Sequence, residues 1–294
     1  MSDNRDRTPR GDNRAPCTGH KARDVFCITC GTQFAATADG PSRCPICEDA
    51  RQYVPAAGQK WISSSDLQLE HRNAFQYEAP DLLGIGTTPS FAIGQRALLI
   101  RSASGNVLWD CVSLMDTATR DLITALGGVS AIAISHPHYY SGMVDWSRAF
   151  GGAPIYLHEA DRQWVMRPDP AIRFWSGERF ALADGITLIR CGGHFTGAAV
   201  LHWSAGAGGL GALLSGDVVQ VIPDPRHVSF MYSYPNLIPL PAAQVEQIVA
   251  TLEPFAFEEL YGAWWGRVVR GDAHGVVRES GRRYIDALAG TNSL

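Results

Sequence analysis

Eight residues of this chain have the type and spacing to hold metal ions. Four are cysteines in two close pairs, Cys27-x-x-Cys30 and Cys44-x-x-Cys47, with 13 residues between the pairs. Each pair can form a tight knuckle that presents two thiolates, and two knuckles satisfy one tetrahedral cation. Gly31 just after the first pair and Pro45 inside the second suit the turns of such knuckles. The other four are scattered: His136 and His138 in "SHPHYYSG", His194 in "CGGHFTG" and Asp217 in "LLSGDVV". Taken singly, each histidine reads more readily as a surface or hydrogen-bonded residue. As a set, three imidazoles and a carboxylate are a donor group for zinc or iron, and a cation held that way activates water or polarises a carbonyl.

Such a set needs elements that end in one place. Residues 130–135, "SAIAIS", read as a buried strand, and His136 and His138 follow it. In extended chain, residues i and i+2 point to the same side, and Pro137 stiffens the turn between them. "GITLIRC" (185–191) is a strand that leads through two glycines to His194. Residues 199–217 read as a hairpin of two apolar strands around a glycine-rich turn, with Asp217 at its end. "FAIGQRALLIRS" and "GNVLWD" are expected as strands joined at Ser104-Gly105, "APIYLH" and "FEELYG" as further strands. Helices are expected over 117–126 with Thr117 as N-cap, from Glu159 to Met166, over 242–252 and over 272–289.

The bulk numbers bound the rest. A chain of 294 residues suits one large domain and a small module. The two knuckles fall in a segment too short for its own core, so the cation would supply its stability. The expected division is a disordered polar leader over 1–24, a four-cysteine module over 25–52, a linker over 53–79 and a main domain over 80–290. A net charge of -4 with no basic cluster gives no nucleic-acid footprint. No apolar run approaches the roughly 20 residues that span a bilayer. The N-terminus has no apolar core of a secretory signal, so a cytoplasmic protein acting on a small molecule is expected, with a homodimer as a default assembly. Cys17 lies in the leader, and Cys111 and Cys191 read as buried thiols.

The order of strand-Asp110, "SHPH", "GGHFTG" and "SGD" resembles the metallo-β-lactamase superfamily over about residues 80–290, and the knuckle pair resembles a zinc ribbon or rubredoxin-like module. Glu48 departs from the glycine usual in a rubredoxin second knuckle. The resemblance implies an α/β (α+β) fold, a four-layer αββα sandwich of two mixed sheets with helices outside. It also implies a structural zinc at the cysteines and one zinc or iron at His136, His138, His194 and Asp217. The superfamily's second-metal aspartate and histidine fall on Tyr140 and Ser141. Its final histidine falls in "YGAWWGR" (261–267), which carries Trp264 and Trp265 instead. One half of a binuclear site is therefore kept and the other half is replaced by aromatic residues, and those rings are expected to lie close together.

With one metal, activation of water remains possible. Asp217 is then the fourth ligand or the base, and Tyr140 or its neighbour Tyr139 the hydrogen-bond donor or acid. Residues 226–241, aromatic and broken by prolines, suit a pocket wall. Tyr139, Tyr232, Trp264, Trp265 and Arg267 are candidate pocket residues, and Arg226 joins Arg267 and Tyr232 as a candidate for an acidic substrate group. Asp145 is expected on the helix after the histidine loop. His227 and His274 read as surface or loop residues. The leading function is a mononuclear metallo-hydrolase cleaving an ester, lactone, thioester or amide. The alternatives are an iron oxygenase of the persulfide-dioxygenase type, using His136, His194 and Asp217, and a catalytically inactive binding or scaffold protein.

Overall fold

A computed structural model describes residues 24–291, so the expected leader and Cys17 lie outside the described residues apart from Asp24. The chain begins with a small unit. Strand β1 (Val25–Cys27) pairs antiparallel with β2 (Gln33–Phe34) on one edge and β3 (Trp61–Ser63) on the other. The first knuckle closes where the Gly31 N–H donates to the Cys27 carbonyl at 2.8 Å, with Gly31 at a left-handed φ of 80° that glycine adopts without strain. The second is a single turn, α1 (Pro45–Glu48), opening on Pro45 where a missing N–H loses no bond.

Residues 53–79, expected as a linker, contain ordered elements. β3 completes the small sheet, and α2 (Ser64–Glu70) follows, capped by the Ser63 hydroxyl accepting from the Asp66 N–H. Then β4 (Arg72–Ala79) opens the main domain. Its side chains are mostly half exposed, so it lacks the apolar run that marks a central strand.

The first large sheet places β4, β5 (Leu82–Thr88), β6 (Arg96–Ile100), β7 (Val107–Trp109), β8 (Ala131–Ala133), β9 (Ile155–His158) and β10 (Ile172–Trp175) side by side. Pairs from β4 to β7 are antiparallel and those from β7 to β10 are parallel. Helices α3 (Thr117–Ala125) and α4 (Met143–Ala149) cover its outer face through Ile123, Met143, Val144 and Trp146. The cap of α3 is Asp116 rather than Thr117, accepting from the Thr119 N–H. The helix expected from Glu159 to Met166 is a 3-10 segment over Glu159–Trp164, and it stops before Arg167, which precedes a proline and is disfavoured in α geometry.

The second sheet runs β11 (Arg179–Ala183), β12 (Ile186–Arg190), β13 (Ala199–Trp203), β14 (Ala212–Leu214), and then β19 (Glu259–Tyr261) and β20 (Val268–Arg270), which come late in the chain. Between β13 and β14 lies a single glycine-rich turn, α5 (Gly206–Gly209). Two small ribbons follow β14, β15 (Gln220–Val221) with β16 (Val228–Ser229) and β17 (Met231–Ser233) with β18 (Ile238–Pro239). The chain then forms α6 (Ala242–Leu252), β19 (Glu259–Tyr261), β20 (Val268–Arg270) and α7 (Ala273–Ala289). Helix α6 buries Val245, Ile248 and Leu252 on one face against this sheet, each contributing about 1.5–3 kcal/mol.

Leu98, Ile100 and Trp109 of the first sheet meet Leu188, Leu201, Trp203 and Leu214 of the second in a dry inner layer. The order is helix, sheet, sheet, helix, the expected αββα sandwich. Among the described residues no helix is long and apolar enough to cross a membrane.

Candidate metal centre

The site forms where four strands stop. β7 leads into Asp110, β8 into Ser135 and the histidine loop, β12 into His194, and β14 into Asp217. The Ala199 N–H donates to the Ser135 carbonyl at 2.9 Å and ties the two sheets together at this end. Gly216, at φ +53°, lets the Asp217 loop lie against Ser135. A Cβ there would come within 2.7 Å of the Ser135 Cβ.

His136, His138, His194 and Asp217 are brought together and are 1–3% exposed. One ligand atom from each lies within 4.8 Å of all the others. His194 Nε2 is 3.2 Å from His138 Nδ1, and His136 Nε2 is 3.4 Å from Asp217 Oδ2. Nitrogens bound tetrahedrally to one zinc stand roughly 3.3 Å apart.

The outer atoms fix what the inner atoms offer, with tautomers assigned from the partners. His194 Nδ1 lies 3.1 Å from the Met231 carbonyl, which can only accept. That nitrogen therefore carries the proton and Nε2 points a lone pair inward. Asp110 Oδ1 accepts from both the N–H and the hydroxyl of Ser135 at 2.8 Å. The Ser135 oxygen is then free to accept from His136 Nδ1 at 2.8 Å. This again turns a lone pair inward, on a His136 Nε2 that is buried without a hydrogen-bond partner. Asp110 reaches Ser135 from a left-handed conformation, φ +60°, which aspartate tolerates better than most residues.

Burial pushes His138 well below the ordinary imidazole range, and burial with the nearby His136 pushes His194 to about 3. Burial alone would raise Asp217, but the facing His136 and His194 rings and the Tyr139 hydroxyl bond pull its carboxyl below the usual range. The His138 and His194 imidazoles, held low by burial, stand with His136 around a carboxylate held below its usual range, and their converging ring nitrogens fit a divalent cation.

The adjacent tyrosines diverge because His136–Tyr140 turns through a 3-10 segment, Pro137–Tyr139, in which successive side chains are about 120° apart. Tyr139 donates to Asp217 Oδ1 at 2.5 Å. Tyr140, expected as a catalytic group, faces the core under α4 and its hydroxyl lies 3.4 Å from the Asp161 carbonyl. Tyr139 is the tyrosine at the centre. Ser141 is equally committed, accepting from Gln95 Nε2 at 2.9 Å.

Only one of the two tryptophans joins the site. Trp264 stands edge-on to Tyr139 with centroids 6.5 Å apart, while Trp265 packs over Gly84, Gly86 and Arg96 on the first sheet. The expected aromatic fill is thus Tyr139 with Trp264. Tyr232 lies near the site through Arg51, whose Cζ is 5.5 Å from its ring. Arg226 is exposed and paired with Asp224. Arg267 is half-buried in the turn after β19, whose backbone bonds run to Gly262 and Trp264. Neither arginine has a bond to the four ligands. Asp145, on α4 as expected, accepts from Gln33 and Arg167 and holds the small module rather than metal. His274 lies 3.2 Å from the Glu253 carbonyl, and His227 Nδ1 is buried without a partner. Cys111 and Cys191 are buried thiols.

Three participants escape the sequence reading. Ser135 orients His136, Tyr234 donates to the Asp217 carbonyl at 3.0 Å, and Arg51 donates to the His194 carbonyl at 3.2 Å. Ser135 and Tyr234 are of a kind found in any loop, and Arg51 belongs to the distant module.

The four cysteines form the second centre. Their sulfurs lie within 4.8 Å of one another, with Cys27–Cys47 and Cys30–Cys44 at 3.6 Å. That exceeds the about 2.05 Å of a disulfide and matches the roughly 3.8 Å between thiolates on one tetrahedral zinc. Hydrogen bonds from Cys30, Cys44 and Cys47 push the Cys27 thiol down, while those with Cys27, Cys44 and Cys47 push Cys30 up. Four crowded sulfurs ionise together only around a cation.

No protein-family model matches the chain. The uncharacterized protein YmaE of Bacillus subtilis (strain 168) is 52% identical over 265 residues, spanning 90% of this chain and 96% of YmaE. The DIM-1 metallo-β-lactamase superposes with a TM-score of 0.56 at 13% identity, over 74% of this chain and 98% of its own. VMB-1 does so with a TM-score of 0.55 at 13% identity, over the same shares. This chain belongs to the family of YmaE. Its fold is that of the metallo-β-lactamases, preceded by a four-cysteine module, and at such identities the solved structures speak for the fold alone.

Proposed function

We propose that the chain is a mononuclear metal-dependent hydrolase acting on an ester, lactone, thioester or amide. The carrying observation is the convergence of His136 Nε2, His138 Nδ1, His194 Nε2 and Asp217 Oδ2, and Tyr140 and Ser141, where the superfamily resemblance would put second-metal ligands, are bonded elsewhere. His136, His138, His194 and Asp217 would hold a divalent cation, zinc or iron, which would supply Lewis acidity there and lower the pKa of a water toward roughly 7. Burial, followed by the charge of Asp217, holds the Tyr139 phenol well above its ordinary pKa. Tyr139 therefore keeps its proton and donates it to Oδ1, leaving Oδ2 for the cation. Phe195 packs edge-on to His138 and His194 and shields them from bulk water. The test is turnover of ester, lactone and thioester substrates by metal-loaded protein, abolished in Asp217→Asn.

A second reading has its own observation. The ligands are nearly inaccessible, and a complete set of four is the signature of a structural zinc site, since catalytic sites keep a position open. On that reading the protein binds a partner and does not hydrolyse. Fully loaded protein without turnover across the panel supports it. The iron-oxygenase alternative has less support, since it leaves His138 without a role.

A further inference from the structure

The four-cysteine module touches both histidine loops, one with each knuckle. After the first knuckle, the Gln33 N–H donates to the Ser141 carbonyl at 3.2 Å, and the Gly31 carbonyl accepts from Ser113 at 2.8 Å. Gly31 sits so close that a Cβ there would come within 2.7 Å of the Ser113 hydroxyl. After the second knuckle, the chain runs from Cys47 through Asp49 to Arg51. Asp49 grips the Arg51 guanidinium through Nε at 2.6 Å and the far nitrogen at 2.9 Å. The remaining nitrogen reaches the His194 carbonyl at 3.2 Å. The same guanidinium stacks over Phe195 with Cζ 3.7 Å from the ring centroid. Phe195 in turn packs edge-on to His138 and His194. The strap is held from the other side by Asn236, which donates to the Ala50 and Gln52 carbonyls at 2.9 Å.

We propose that Arg51 is a positioning residue for the His194 ligand and the latch of the metal centre, and that the cation at Cys27, Cys30, Cys44 and Cys47 anchors it. The argument rests on the His-site metal of the proposed function and extends it. The strap begins two residues after Cys47, so the thiolate cation fixes its root. Arg51 carries that anchorage onto the His194 backbone and the Phe195 ring. Its contacts are one charged hydrogen bond and a cation–π stack, few enough to open while the sandwich stays folded. Opening the latch uncovers the buried ligands, and losing the thiolate cation frees the latch.

The test uses the full chain loaded with cobalt(II), whose thiolate site shows a sulfur-to-metal charge-transfer band that the histidine–aspartate site lacks. Release of each ion to excess EDTA is followed separately in wild type, Arg51→Ala, Arg51→Lys and Asp49→Asn. The expected result is His-site release at least about tenfold faster in Arg51→Ala, a partial effect in Arg51→Lys and Asp49→Asn, and an unchanged thiolate-site rate in all three. Thiol blocking with a mercurial in wild type should accelerate His-site release to the same degree. An unchanged His-site rate in Arg51→Ala overturns the proposal, as does loss of both ions together, which would mark a purely structural contact. Failure of wild type to take up a His-site ion would overturn the proposed function as well, so the two failures are distinct.

Discussion

Two neighbouring tyrosines give a sharp contrast. Tyr139→Phe removes a buried hydroxyl that donates to an ionised carboxylate at 2.5 Å. Hydrogen bonds to charged groups contribute about 1.5–3 kcal/mol, and losing a partner of a metal ligand costs roughly 10–100-fold in affinity. These agree, since 1.4 kcal/mol is about tenfold. The deletion also leaves Asp217 Oδ1 buried without its donor. Tyr140→Phe removes a hydroxyl 3.4 Å from a carbonyl, outside the 2.5–3.0 Å range of a good O–H···O bond. That change should cost about 0.5 kcal/mol, near twofold. Both substitutions keep the ring, so packing is preserved in each. Competition against a chromophoric chelator gives the His-site affinity, and denaturant unfolding of the metal-free protein gives the stability. Equal effects from the two variants, or a larger one from Tyr140→Phe, would refute the assignment of Tyr139 to the centre.

Two further outcomes follow from the same geometry. Ser135→Ala cuts the link between His136 Nδ1 and Asp110, so His-site affinity should fall about 10–100-fold in the chelator assay, and an unchanged affinity would count against the relay. The metal-free protein should lose stability in acid: His194 has a folded pKa of about 3 against an ordinary 6.5. Between those values the unfolded chain binds a proton that the folded chain does not. The contribution is therefore complete above 6.5 and lost as pH falls, by up to about 1.4 kcal/mol per unit or roughly 3 kcal/mol at pH 4.5. His194→Asn should flatten the fall in denaturation midpoint between pH 7 and 4.5, and an equally steep variant would contradict it.

The ligands were legible because each follows an apolar strand, and glycines mark the sharp turns before His194 and Asp217. The cysteine spacing told of the second centre for similar reasons, since its geometry is local. What stayed hidden depends on contacts between distant segments. The choice between Tyr139 and Tyr140 turns on a 3-10 segment, whose three-residue period leaves no mark in a stretch that follows an apolar strand. β4 was missed because "RNAFQYEA" lies at a sheet edge with a half-exposed face, giving weak contrast between its apolar and polar positions. Arg51 looks like any charged residue after a zinc knuckle, and only the folded chain brings it onto His194, 143 positions away.

The proposed function requires two separate single-metal centres, and metal counting on purified, metal-saturated protein tests this most directly. Wild type should bind two equivalents. A variant carrying His136→Ala and His194→Ala should bind one with the thiolate charge-transfer band intact, and one carrying Cys27→Ser and Cys44→Ser should lose that band. A third equivalent in wild type would contradict the mononuclear assignment, and an unchanged count in the histidine variant would contradict the site itself.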